Sequence, residues 1–144
     1  MRLALVVAAA GLVTVLGGCG GGDDNSAPSD SSDQRIKQIE GLAGLATNAY
    51  AATNGEGLLD YLASDMAKAC TKEDIMRALA GQTVPTGVQA LKDVKFDGED
   101  KASATVVLKT REGDRDAVWS FVREGDSWRI ISMPSLTKED CGKS

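Results

Sequence analysis

The sequence predicts an α+β domain in which N-terminal helices pack on a curved, antiparallel, four-stranded sheet. Three observations carry that expectation. Apolar residues recur every three or four positions from Asp33 to about Leu79; beyond Pro85 the period falls to two; and the period-two runs are separated by short acidic turns that contain glycine. Strands joined by such turns make a meander, which buries one face under helices and leaves the other more polar.

In the first predicted helix, Ile36, Ile39, Ala43, Ala46 and Tyr50 share a face that Leu42 and Leu45 widen. Ser31 and Gln34 have the spacing of a capping box, and Asn54-Gly55 ends the helix. Gly41 and Gly44 each cost about 1 kcal/mol relative to alanine, so tertiary packing has to hold it, and both glycines would allow close approach of another element. A second helix is expected from Gly57 to Cys70, with Leu58, Tyr61, Leu62, Met66 and Ala69 apolar at helical spacing. Thr71-Lys72-Glu73-Asp74 opens a third, which turns Ile75, Leu79 and Met76 inward and stops at Gly81.

The strands are expected around Leu91 to Phe96, Ala102 to Lys109, Ala117 to Val122 and Trp128 to Ser132. Asp97-Gly98-Glu99-Asp100, Glu112-Gly113-Asp114 and Glu124-Gly125-Asp126 are the turns between them, because glycine and aspartate tolerate the positive backbone angles of tight hairpins. Arg-Glu-Gly-Asp occurs at Arg111 and again at Arg123, which is hairpin periodicity rather than a solenoid. The second strand alternates Ala102, Ala104, Val106 and Leu108 with Ser103, Thr105, Val107 and Lys109; the third alternates Ala117, Trp119 and Phe121 with Val118, Ser120 and Val122. Both faces are thus partly apolar, and some apolar surface is expected on the convex side.

Ahead of this domain the chain reads as an address. Arg2 precedes an apolar run from Leu3 to Leu16, too short for the roughly 20 residues that span a bilayer. Leu16-Gly17-Gly18-Cys19 then resembles the lipobox of bacterial lipoproteins. That resemblance implies acylation of the Cys19 sulfur, cleavage before it, and residence on the extracytoplasmic face of the cell membrane, palmitate being an expected acyl group. Residues 1–18 are accordingly the signal peptide, 19–32 a flexible tether rich in Gly, Asp and Ser, and 33–144 a single domain of roughly 110 residues. A random coil of the tether's length reaches roughly 20 Å.

The order of helices and strands, closing on Val118-Trp119-Ser120-Phe121-Val122-Arg123-Glu124-Gly125-Asp126-Ser127-Trp128-Arg129-Ile130, resembles the nuclear-transport-factor-2-like, or cystatin-like, superfamily from about Asp33 to Ser132. The resemblance implies a cone-shaped roll with a pocket between helices and sheet. It does not imply one activity, since a fold hosts many functions.

Composition narrows the chemistry. The chain carries 16 basic against 21 acidic residues, a formal charge of -5, and no basic cluster, which argues against nucleic-acid binding. It has no histidine, so Ser-His and Cys-His nucleophilic pairs are ruled out. Of three cysteines, Cys19 belongs to the lipobox, and Cys70 and Cys141 are expected to bond to each other outside the cytoplasm. Tyr50, Tyr61, Asp65, Trp119 and Phe121 are candidates to line a pocket, with Asp60 and Asp65 the carboxylates that an isomerase- or hydrolase-like enzyme would use. Their plain structural reading is stronger: exposed helix faces for the aspartates, core anchors for the aromatics. Asp97, Glu99 and Asp100 lack the ordered ligand spacing of a calcium loop. No catalytic set, metal or cofactor is expected. The leading expectation is a non-catalytic envelope lipoprotein that binds a protein or a small apolar ligand, with the enzyme and a purely structural interaction factor as alternatives.

Overall fold

The computed structural model describes residues 31–52 and 55–141. Cys19, the signal peptide, the tether up to residue 30 and the Asn54 stop signal lie outside the described residues. The element order is α1 (Ser32–Ala51), α2 (Gly55–Leu59), α3 (Ser64–Ala69), α4 (Lys72–Leu79), β1 (Gly87–Asp97), β2 (Lys101–Thr110), β3 (Gly113–Glu124), β4 (Ser127–Ser132) and α5 (Lys138–Cys141). The fold is α+β, as the sequence predicts, with a single antiparallel sheet in the order β1-β2-β3-β4.

Helix α1 starts where the Ser31 hydroxyl accepts the backbone N–H of Gln34. It buries Ile39, Leu42, Ala43, Ala46 and Thr47, and leaves Leu45 exposed, against expectation, on the far side of the stripe. Gly41 and Gly44 do not serve close packing either, because nothing lies within 4 Å of where a Cβ would stand on either one. In α4 the capping box is complete: the Thr71 hydroxyl accepts the Asp74 N–H, and the Asp74 carboxylate accepts the Thr71 N–H at 2.9 Å. Ile75 and Leu79 are buried, whereas Met76 is exposed.

The single second helix expected from Gly57 to Cys70 is instead two short ones. Between them Leu62 forms a parallel bridge with Ile130 of β4, in which Ala63 N–H donates to the Ile130 carbonyl and Ile130 N–H to the Tyr61 carbonyl. With the Tyr61 carbonyl and the Ala63 N–H given to β4, neither group can serve a continuous helix ladder, so the helix breaks there.

The hairpin registers explain the inner face. Ala102 lies opposite Phe121, Ala104 opposite Trp119 and Val106 opposite Ala117, so small residues on one strand face large ones on the next. Trp119 and Phe121 are fully buried, and their rings lie 6.3 Å apart. The glycines of the β1–β2 and β3–β4 turns, Gly98 and Gly125, have φ of +70° and +62°, which other residues rarely adopt. Register shifts between Val88 and Ala90 and between Lys92 and Lys95 bend β1, helping to curve the sheet over the helices. Its convex face shows Val118, 64 % exposed, and Ile131.

Candidate functional site

At the end of the sheet away from the Gly98 and Gly125 turns lies a pocket of about 200 Å³. Its position follows from where four elements stop. α1 delivers Tyr50 in its last turn, α4 ends on Leu79, Leu108 comes from the inner face of β2, and Ala117 and Trp119 from the inner face of β3. The chain leaving β4 adds Met133 and Pro134 as an outer wall. Tyr50 donates its hydroxyl to the Leu79 carbonyl at 3.4 Å, a long bond to one of the carbonyls that a helix end leaves without an intrahelical partner. Half-burial of Tyr50 pushes its phenol above the usual tyrosine value, so it stays neutral.

Two ion pairs lie at this end of the sheet. Arg115 is 2.6 Å from Glu112, and Asp116 is 3.8 Å from Lys92. All four side chains are more than half exposed, so these pairs set the local charge rather than the stability. The site offers an apolar hollow with polar edges, and the carboxylate in its lining, Asp116, is exposed and paired with Lys92.

Of the residues singled out from the sequence, the pocket gathers Tyr50 and Trp119. Phe121 is fully buried beyond Trp119 along the same strand. Tyr61 is half-buried at the junction of α2 and α3, where its backbone is engaged with β4. Asp60 and Asp65 are exposed and do not line the pocket; the Asp60 backbone carbonyl accepts a hydrogen bond from Arg129. Leu108 and Ala117 were readable as inner-face positions from strand alternation, although not as pocket residues. Leu79 was readable as an inward position of its helix and Met133 carried no signal; what makes both of them walls is the meeting of a helix end with a segment beyond the last strand.

That segment is anchored. Met133 and Leu136 exchange backbone hydrogen bonds, Leu136 is fully buried, and Cys141 forms a disulfide with Cys70 across a sequence separation of 71. Both half-cystines are buried. Among the described residues no cluster of His, Cys, Asp or Glu could hold a metal ion, and no helix is long and apolar enough to cross a membrane. Compared with known protein families and with curated proteins, the chain matches none.

Proposed function

We propose that the protein is a lipid-anchored lipoprotein of the bacterial cell envelope, held through Cys19 on the extracytoplasmic face, whose nuclear-transport-factor-2-like domain binds a small ligand without catalysing a reaction. The carrying observation is the apolar pocket whose edge charges are already paired, while the aspartates that an enzyme would need stand exposed elsewhere. The lipobox residues Leu16 to Cys19 support the anchor. The geometry of α1 supports the division of labour: its residues rise about 1.5 Å each, so Ser32 next to the tether and Tyr50 at the pocket stand about 27 Å apart. The end of α1 that joins the tether and the end that bears the pocket are thus opposite, which supports a pocket held away from the anchor.

A second reading, an interaction factor that docks a protein on the convex sheet face, draws on the exposure of Val118 and Ile131. Native mass spectrometry of protein extracted from its own membrane separates the two. A small molecule retained on the wild type, and lost when Ala117→Met fills the pocket, supports ligand binding; an empty pocket with a co-purified protein lost on Val118→Asp supports docking. The anchor is tested by fractionation of Cys19→Ser, which is expected to leave the membrane fraction. Retention of that variant with the membrane would sink the lipoprotein assignment.

A further inference from the structure

Thr83 is part of the pocket's lining. That residue also borders a more open hollow of about 460 Å³ between the end of α1, the loop before β1 and the β2–β3 turn, where Val84, Pro85 and Arg111 meet. Val84 is 44 % exposed there. Either hollow alone is an ordinary surface feature; side by side they reach the size of small-molecule sites, roughly 300 to 1,000 Å³.

Their charges are uneven. Glu112 is taken by Arg115, and Asp116 by Lys92, whereas Arg111 makes no ion pair with any described residue. A chain of formal charge -5 therefore places one uncompensated guanidinium on the outer hollow, which shares Thr83 with the apolar pocket. Guanidinium groups present a planar fork of donors that matches a carboxylate.

We infer that the ligand is a small free carboxylic acid, with a short alkyl or aryl body in the inner hollow and its carboxylate on Arg111. This rests on the binding function proposed above and names its ligand class. Size argues for a free acid rather than a protein segment, since the inner hollow of about 200 Å³ is only a little larger than the roughly 150 Å³ cavity known to hold benzene. It has room for one ring or one short chain.

The test compares 4-phenylbutanoate with its neutral amide by titration calorimetry, using full-length protein in nanodiscs of zwitterionic lipid and empty nanodiscs as the blank. At low salt the acid should bind about three- to fivefold tighter than the amide, the scale of an exposed ion pair. Arg111→Gln, in an exposed turn where folding is not at risk, should remove that preference. Equal affinities, or a preference that survives Arg111→Gln, would overturn the inference while leaving the pocket as a binding site. Failure of both compounds to bind would overturn the binding function and this inference with it. If acetyl-Gly-Phe with a free carboxylate bound tenfold tighter than 4-phenylbutanoate, the occupant would be a chain terminus and the free-acid assignment would fall.

Discussion

The backbone N–H of Ala63 donates to the carbonyl of Ile130 at 2.8 Å, one of two bonds across the molecule that fix where the α2–α3 segment stops being helical. Ala63 has φ of -58°, an angle that proline adopts, and Leu62 before it is already extended in its bridge to β4. Ala63→Pro therefore removes the donor with little backbone penalty. It is expected to cost about 1 to 3 kcal/mol, the loss for a buried carbonyl left without its partner, in urea denaturation at neutral pH. A loss under about 0.5 kcal/mol would mean that side-chain packing, not this bond, breaks the helix.

That break also marks the limit of what the sequence conveys. The turns at Gly98 and Gly125 and the capping box of Thr71 and Asp74 are local, fixed within a few residues, and they stand as predicted. So does the inner-face alternation of β2 and β3, because a period of two survives any choice of partner. Leu58, Leu62 and Met66 are also apolar and buried as expected, yet their helical spacing could not reveal that Leu62 would pair with a strand far along the chain. Leu45 and Met76 fail for a related reason: periodicity allows a wide stripe, and only the neighbouring elements decide how much of it is covered. At the pocket, Tyr50 and Trp119 were legible by residue type, whereas Leu79 and Met133 become walls only through tertiary assembly.

The two helix glycines offer a gain rather than a loss. Gly44 sits in the middle of α1 with open space where a Cβ would go. Gly44→Ala is expected to stabilise the domain by about 0.4 to 1 kcal/mol, by restricting the unfolded chain and favouring the helix, read as a higher denaturation midpoint at unchanged slope. A neutral or negative result would show that the helix needs that glycine for a reason packing does not reveal.

The Cys70–Cys141 disulfide ties α5 to the end of α3. Replacing both cysteines with serine is expected to cost about 2 to 4 kcal/mol, measured by denaturation with the oxidised wild type as reference. Because the bridge also holds the segment that supplies Met133 and Pro134, hydrogen exchange should rise at Leu136 before it rises in the sheet. Uniform exchange across the domain would show that the segment does not open on its own.

The acid limb of stability should depend on two carboxylates. Hydrogen bonds from the Ser64 hydroxyl and backbone N–H hold Glu124 below the usual glutamate value, and those from Thr71 hold Asp74 below the usual aspartate value. A carboxylate with a lowered folded pKa contributes stability that is present above its unfolded pKa and is lost as pH falls through the folded one. Stability should therefore decline from about pH 5 downward. Ser64→Ala and Thr71→Ala should each flatten that decline, Thr71→Ala also costing about 1 kcal/mol at neutral pH as a lost helix cap. An unchanged acid limb in both variants would remove these two groups as its cause.

Tyr50 reports on the pocket from the alkaline side. Burial raises its phenol above 10.0, the value of a free tyrosine, so the folded state prefers the neutral form more strongly than the unfolded chain does. The sign is opposite to that of the carboxylates: this contribution is complete below the unfolded pKa and is lost as pH rises through the folded one. At neutral pH, Tyr50→Phe removes only a long bond to the Leu79 carbonyl and should cost about 0.5 kcal/mol or less. Between about pH 9 and 12 the wild type should lose stability faster than this variant, and their curves should converge or cross. All other groups are common to both proteins, so the difference between the curves isolates the pocket phenol. A small apolar ligand seated against Tyr50 would bury it further and move the loss to still higher pH. Parallel curves would show that Tyr50 is as well hydrated in the folded domain as in the unfolded chain, and the hollow beside it would then be open to water along its whole depth.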